Sequence, residues 1–448
     1  MDKLTNNDDN LQWRESSVKA LFPFIVFVLF YFGFSILTRD FSKVPMSVAF
    51  IISSAVALTL NHKEKLGKKI EIFAHGMGNR DIMMMCLIFI LAGAFTATAE
   101  AVGAVDAVVA IAQNIVPHRF MMSGMFIVSA LISLSIGTSC GTIAAVVPIA
   151  VELSQALGLP AGVMLGAVVG GAMFGDSLSV ISDTTIASTR TQNVEMRDKM
   201  IFNFKIVTVP SILCVLIYLL PVFAPAADSV SSVSVTLSSY IKIAPYFFLL
   251  IFGMAGMNVM LLLLIAIILN LIIGIHYGTF DLFGGFTFIG DGTVSMANTI
   301  VVAMLAGGML QMVRYNGGIT YIIKVTEHFI KNKKLCELGI CFLVGMMDLF
   351  TANNTVAIIT AGPIAKELSQ KYGVDARRTA SLLDTTSCCV QGVIPYGAQI
   401  LIATSLAASI SISSFTIMKS LFYPVLVGIG IIVSIILGVK IKDRNENN

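Results

Sequence analysis

Residues 170–185 read GGAMFGDSLSVISDTT and lie deep in an apolar part of the chain. The ten residues from Asp176 to Thr185 include two carboxylates, three serines and two threonines. An aspartate at the centre of a membrane-spanning helix costs about 2.5–3.5 kcal/mol on insertion scales, so two of them close together indicate a function. The glycines let the backbone bend, and the hydroxyls can bond the backbone groups that a bend frees. The stretch therefore predicts an interrupted helix with a site for a small cation. The alternative is two carboxylates at an exposed helix end.

The composition is typical of a membrane protein. Of the 448 residues, 56% are hydrophobic and 12% are charged, whereas soluble domains carry about 25% charged residues. Many apolar runs are about 17–25 residues long, which is the length that crosses about 30 Å of hydrocarbon. These runs are continuous, whereas a β-barrel would show alternating segments. The expected fold class is an all-α polytopic membrane protein of about ten to fourteen helical segments.

Charge and cysteine content exclude several functions. The net charge is +3, and the basic residues gather in short loops instead of a nucleic-acid-binding stripe. The seven cysteines form no CxxC pair, and no histidine clusters with a carboxylate, so neither a zinc site nor a disulfide framework is expected. We therefore expect no cofactor, no nucleic-acid partner and no enzymatic activity. The expected partners are the lipid bilayer and a transported solute, and a homodimer is allowed.

The sequence repeats itself at a nearly constant spacing. PIAVELSQ at residues 148–155 is matched by PIAKELSQ at residues 363–370, and Pro210 is matched by Pro424. The offset stays between 213 and 215 over a long stretch, about 150 residues, and this constancy indicates an internal duplication.

Loop charges predict that the two copies are inserted in opposite directions. The loop at 156–162 has no basic residue, and neither has the segment at 407–414. Their counterparts in the other copy are basic, with Lys371, Arg377 and Arg378 in one and Arg190, Arg197 and Lys199 in the other. Because cytoplasmic loops carry an excess of Lys and Arg, equivalent loops lie on opposite sides of the membrane. This is an inverted-topology repeat, the plan of many secondary transporters.

These patterns predict the organisation and location of the chain. The basic loop at 61–81 and the C-terminal Lys440, Lys442 and Arg444 place both termini in the cytoplasm of a multi-pass protein of the inner (plasma) membrane. The expected parts are an N-terminal tail with two spans and a basic loop (1–75), a first transport repeat (76–224), linking helices (225–289), a second, inverted repeat (290–438) and a cytoplasmic tail (439–448).

Each copy also has a polar interruption before its ELSQ helix. Residues 136–142 and 349–355 are candidate tips of re-entrant hairpins, although ordinary turns fit the same pattern. The adjacent amides Asn353 and Asn354 are the stronger signal, since both need partners in hydrocarbon. In the repeat register Asp183 falls opposite Tyr396, and Asp384 falls opposite about Gly171.

Carboxylate, hydroxyl and backbone oxygens are ligands that can replace the hydration shell of Na⁺. One carboxylate can carry either Na⁺ or H⁺ but not both, and that competition suffices for antiport. We expect Asp176 and Asp183 to bind Na⁺ transiently, with Asp384 as the third carrier. The full candidate set is Asp176, Ser179, Ser182, Asp183, Thr184, Thr185, Asn353, Asn354, Asp384, Thr385, Thr386, Ser387 and Tyr396.

The motif at 175–185 resembles the signature of NhaC-type sodium/proton antiporters, within the larger ion-transporter fold group. The segment at 384–397, with Val393-Ile394-Pro395-Tyr396, resembles its counterpart in the second half. The resemblance covers most of residues 76–438, and it implies two re-entrant hairpins, discontinuous helices and exchange of Na⁺ (or Li⁺) for H⁺. It also implies that Asp176, Ser182, Asp183 and Thr184 line the cation path and face Asp384 and Thr385.

Other functions remain open at this point. Shorter relatives of this type resemble carriers of amino acids or organic acids, so the alternative is a Na⁺- or H⁺-coupled transporter of an amino acid or organic anion. Asn353 and Asn354, with helix N-termini, could hold such a carboxylate. An intramembrane aspartyl protease would also use two buried aspartates but needs no duplicated scaffold. A channel fits paired broken helices less well than alternating access does.

Overall fold

The computed structural model describes residues 15–37, 44–61, 63–104, 107, 117–179, 182–223, 236–254 and 257–438. The predicted cytoplasmic tail at 439–448 lies outside the described residues, as do the first residues of the chain and the start of the linking segment. The described residues form helices and no strand. The α-helices are α1 Phe22–Leu37, α2 Met46–Thr59, α3 Leu66–Met77, α4 Arg80–Val102, α5 Met121–Ile136, α6 Ser139–Ala156, α7 Ala161–Leu178, α8 Asp183–Gln192, α9 Met196–Tyr218, α10 Leu237–Lys242, α11 Ala244–Met254, α12 Val259–His276, α13 Leu282–Ser295, α14 Ala297–Tyr315, α15 Gly318–Phe329, α16 Lys333–Thr351, α17 Asn354–Tyr372, α18 Ala376–Gln391, α19 Ala398–Leu406, α20 Ser414–Lys419 and α21 Phe422–Leu437.

The predicted all-α polytopic membrane protein is confirmed. Seven helical stretches are long and apolar enough to cross a membrane, and α2, most of α5, and α21 are shorter apolar helices. Breaks and short helices such as α10 and α20 divide the predicted ten to fourteen segments further. The seven stretches are Val18–Ser35, Ile82–Val102, Ser139–Ala156, Ala161–Gln192, Met196–Tyr218, Val259–His276 and Leu282–Tyr315.

The chain divides into two compact units. One holds residues 1–86 with 300–331, and the other holds residues 87–299 with 332–448. Every candidate site residue from the sequence belongs to the second unit.

Within the second unit, helices of the two copies begin at the same spacing. Ser139 starts α6 and Asn354 starts α17, while Asp183 starts α8 and Ala398 starts α19. Both pairs are 215 residues apart, as are the starts of α7 and α18. This spacing corrects the register by two residues, because Asp183 is equivalent to Ala398 and not to Tyr396. The same spacing places Asp384 opposite Val169 instead of Gly171.

Both predicted tips are tight helix–turn–helix connections. Gly137 ends α5 in the left-handed region at φ 75°, and Ala352 ends α16 there at φ 50°. Glycine adopts this conformation without a Cβ penalty, whereas alanine is strained. The Ala352 N–H donates to the Asp348 carbonyl oxygen at 2.8 Å, and this bond closes the last turn of α16.

Glycines bring α5 and α7 into close contact, and this contact positions the end of α7. A Cβ at Gly171 would overlap the carbonyl oxygen of Phe126, and one at Gly175 would overlap that of Ala130. Such small-xxx-small spacing allows close helix packing in membranes. In the second copy the glycine is on the other helix, since Gly345 of α16 packs against Val390 of α18.

Candidate functional site

Asp176 lies at the centre of a cluster of hydroxyl groups. It sits in the last turn of α7, next to Gly175, and is 6% exposed. Its Oδ2 accepts from the Ser139 hydroxyl at 2.7 Å and from the Ser139 backbone N–H at 3.2 Å. Its Oδ1 accepts from the Ser182 hydroxyl at 2.6 Å. Because Ser139 is the first residue of α6, the carboxylate also faces the positive end of that helix.

The interruption predicted after Asp176 joins two half-helices. α7 ends at Leu178, and α8 begins at Asp183 with Ser182 as an extended N-cap. The Ser182 hydroxyl is 2.9 Å from that of Thr184, which extends the oxygen cluster into α8. Across the break, Thr185 donates to the Ser179 carbonyl oxygen at 2.8 Å. The break is thus held together by hydroxyls, as discontinuous membrane helices require.

Asp183 does not share this environment. It is the first residue of α8 and its side chain is exposed, whereas the other six candidate polar residues of the motif and its flanks are buried. Asp183 still lies within electrostatic reach of Cys140, on the second residue of α6. The two aspartates of the motif therefore have unequal surroundings, which sequence spacing does not reveal.

Asp384 is neutralised by a lysine that the sequence analysis assigned to a loop. Lys199 Nζ is 2.5 Å from Asp384 Oδ2, and both side chains are almost fully buried. The same ammonium donates to the Thr185 hydroxyl at 2.8 Å, and Asn203 donates to Asp384 at 2.6 Å. Because Lys199 and Asn203 belong to α9 and Asp384 to α18, this network links the two copies.

The buried position of Lys199 corrects part of the loop-charge count. Lys199 lies inside α9 and not in a loop, and Arg378 is likewise buried, 3.1 Å from Glu337. Arg190 and Arg197 remain exposed on one side of the comparison, and Lys371 and Arg377 remain on the other.

The candidates of the second copy have mainly structural contacts. Asn353 caps α17 by accepting from the Val356 N–H, and Tyr396 donates to the Leu349 carbonyl oxygen at 2.7 Å. Thr385 and Ser387 bond the backbone of their own helix. The Asn354 amide oxygen accepts from the Thr355 N–H, and the buried Thr386 hydroxyl has no hydrogen-bond partner among the described residues.

Asp176 has an amide as its equivalent in the second copy. Gln391 lies 215 residues later, at the end of α18, and donates to the Ala352 carbonyl oxygen at 2.7 Å. Each of these side chains thus joins its helix to the neighbouring tip, but only Asp176 carries a charge. Gln399 of α19 then donates to the Ser139 hydroxyl at 3.0 Å and connects the second copy to the Asp176 cluster.

A cavity of about 230 Å³ lies beside the same helices. Glu100, Glu152 and Asp291 line it together with hydroxyls that include Ser405, and its described lining contains no Lys or Arg. α6 carries Ser139 at its first residue and Glu152 on the cavity wall, about 20 Å further along the helix axis. α19 likewise carries Gln399 and Ser405. An acidic cavity of this kind concentrates cations.

Comparisons with known proteins agree with this site. The sequence model of the Na⁺/H⁺ antiporter family matches residues 11–223 and 220–439, so it covers both copies. No curated protein matches the chain. Among solved structures, the YdaH transporter of Alcanivorax borkumensis is similar over 92% of this chain and 97% of its own, with a TM-score of 0.45 and 14% identity. The chain belongs to the Na⁺/H⁺ antiporter family, a family of membrane transporters for which Na⁺ and H⁺ are the exchanged ions.

Proposed function

We propose that this chain exchanges Na⁺ (or Li⁺) for H⁺ by alternating access, with Asp176 holding one ion or the other. The carrying observation is the contrast between two buried aspartates. Asp384 has a lysine at 2.5 Å, whereas Asp176 has only hydroxyls and one backbone N–H as printed partners in the described chain. A buried carboxylate without a counter-ion is costly, so it favours binding an ion or a proton.

The oxygens around Asp176 suit a dehydrated alkali cation. The ligands available are both Asp176 oxygens and the hydroxyls of Ser139, Ser182 and Thr184. In the ion-free arrangement the Ser139 and Ser182 hydroxyls point their hydrogens at the carboxylate. When Na⁺ enters, the hydroxyls can rotate and present lone pairs, because a hydroxyl both donates and accepts. Several hard oxygens then replace the hydration shell of the ion.

Exchange follows from competition at one carboxylate. Protonation of Asp176 removes the negative charge that attracts Na⁺, and bound Na⁺ opposes protonation. A carrier that returns only with one of the two ions bound therefore couples their gradients. We assign the return step to movement between the two copies, which the loop charges place in opposite orientations. We also assign the chain to the plasma membrane with both termini in the cytoplasm.

The acidic cavity supports a cation as the substrate. Its three carboxylates would attract Na⁺ and repel an organic anion. A carrier of an amino acid or organic anion would need a free cationic group, and the buried Lys199 is already paired with Asp384. The anion carrier therefore serves as an outcome of the test.

Purified protein in proteoliposomes with an internal pH dye tests this function. We expect an imposed Na⁺ or Li⁺ gradient to drive proton movement in the opposite direction, whereas a choline gradient of equal size drives none. If Na⁺ moves protons only after an amino acid or organic acid is added, the coupled carrier replaces the exchanger.

A further inference from the structure

Asp348 is a fully buried acid on the face of α16 that packs against α18. It is 0% exposed and lies one turn before the Ala352 tip. Its equivalent, 215 residues earlier, is Ser133 of α5, which lies against Gly175 of α7. The matching contact of the second copy joins Gly345 to Val390, one turn from Asp348. The two copies therefore carry their acids on different helices, Asp176 on α7 and Asp348 on α16.

Asp348 differs from every other buried acid of the second unit's described residues in having no partner. Neither carboxyl oxygen has a hydrogen-bond partner. Asp176 has three donors, Asp384 has Lys199, and Glu337 has Arg378. The titratable groups that face Asp348 are Cys389 of α18 and Tyr396, which follows α18.

Neither facing group can compensate a negative charge. Tyrosine and cysteine are uncharged near neutral pH, and ionising either one would add a second negative charge. α17 and α21 also pack against α16, but no charged side chain from the described residues acts on Asp348.

Neutralisation by a proton is the occupancy that this environment allows. An isolated carboxylate in an apolar interior costs far more than protonating it, so such a group neutralises. A dehydrated Na⁺ needs several oxygen ligands, whereas a proton needs only one. No other oxygen of the described residues lies within hydrogen-bond distance of the Asp348 carboxyl.

We propose that Asp348 is a second, proton-only binding site, located in the second copy and separate from the Asp176 cation site. Its role in transport rests on the proposed Na⁺/H⁺ exchange. The bound proton cannot reach water until α16 and α18 separate, and alternating access supplies such a movement. Each cycle would then move the Asp348 proton in addition to the proton that competes with Na⁺ at Asp176.

Infrared spectroscopy of the purified protein tests the site without transport. With Na⁺ saturating, Asp176 has released its proton, so a buried protonated-carboxyl band that exchanges slowly in deuterated water should come from Asp348. We expect this band in the wild-type protein and in Asp281→Asn, which changes an exposed N-cap aspartate. We expect its loss in Asp348→Asn, where the amide replaces a neutral acid of the same shape. Persistence of the whole band in Asp348→Asn, or its absence from the wild-type protein, overturns the proposal.

Proteoliposomes test its part in transport. Protons and radioactive Na⁺ are counted together, and Asp348→Asn should move one proton fewer per Na⁺ while binding Na⁺ with wild-type affinity. An unchanged ratio means that Asp348 moves no proton and overturns the transport role. If the wild-type protein exchanges no Na⁺ for H⁺ at all, the proposed function fails, and the infrared band still decides whether Asp348 holds a proton. If Asp348→Asn does not fold, the slowly exchanging band of the Na⁺-saturated wild-type protein decides alone.

Discussion

Lys199 of α9 and Asp384 of α18 form a buried ion pair at 2.5 Å that joins the two copies of the duplicated chain. Removing one partner of such a pair strands the other charge and costs about 3–5 kcal/mol, whereas removing both leaves no bare charge. We therefore expect Lys199→Met and Asp384→Asn each to lower the thermal unfolding temperature in detergent strongly. The double variant should recover much of the loss. Additive losses in the double variant would show that the two side chains do not interact.

Ser182 contributes one of the hydroxyls on Asp176, and its removal should weaken Na⁺ binding selectively. A hydrogen bond to a charged group is worth about 1.5–3 kcal/mol, which corresponds to roughly 10–100-fold in affinity. Isothermal titration of Ser182→Ala with NaCl should show this loss. Ser188→Ala is the matched control, since Ser188 bonds only the Thr185 carbonyl oxygen of its own helix, at 3.2 Å. Equal affinity in the two variants would remove Ser182 from the site.

The acidic cavity should raise the local Na⁺ concentration by long-range attraction. We expect Glu100→Gln combined with Asp291→Asn to raise the KM for Na⁺ about tenfold at low ionic strength. The difference should shrink as choline chloride is added, because about 0.1 M salt screens charges beyond about 10 Å. Asp281→Asn, an exposed change outside the cavity, should leave KM unchanged. A KM increase that ignores salt would point to direct ion ligation instead.

Gly171 permits the close contact of α5 and α7 that places Asp176 beside Ser139. An added methyl group there meets the Phe126 carbonyl oxygen, and overpacking of this kind costs about 1–3 kcal/mol. Gly171→Ala should lower the thermal unfolding temperature. Gly124→Ala has no atom within 4 Å of the added methyl group and should stabilise α5 by about 0.5–1 kcal/mol. The same shift in both variants would mean that the contact at Gly171 is not tight.

The sequence was sufficient to predict the helix class and the duplication, because apolar length and a constant offset survive in the linear pattern. It placed the register two residues off, since the insertion lies in the break where no helix period counts residues. Lys199 looked like a loop charge because it follows Glu195 and Arg197. Only the packing of α9 against α18 shows that it faces Asp384.

The candidate site was predicted in part. The pairing of Asp176 with Ser182 follows from two oxygen-bearing residues on either side of one break. The partnership with Ser139 depends on the contact between α6 and α7, which no local spacing encodes, although Ser139 lies in the predicted first tip. The exposure of Asp183 and the isolation of Asp348 also depend on which helices cover them.

The central claim is that Asp176 holds either a proton or Na⁺, and proton release on Na⁺ binding measures it directly. A weakly buffered solution of the purified protein with a pH dye is mixed rapidly with NaCl at a pH where Asp176 is protonated. We predict proton release by the wild-type protein and by Asp183→Asn, and none by Asp176→Asn, with choline chloride giving no signal in any of the three. Undiminished release by Asp176→Asn would contradict the account.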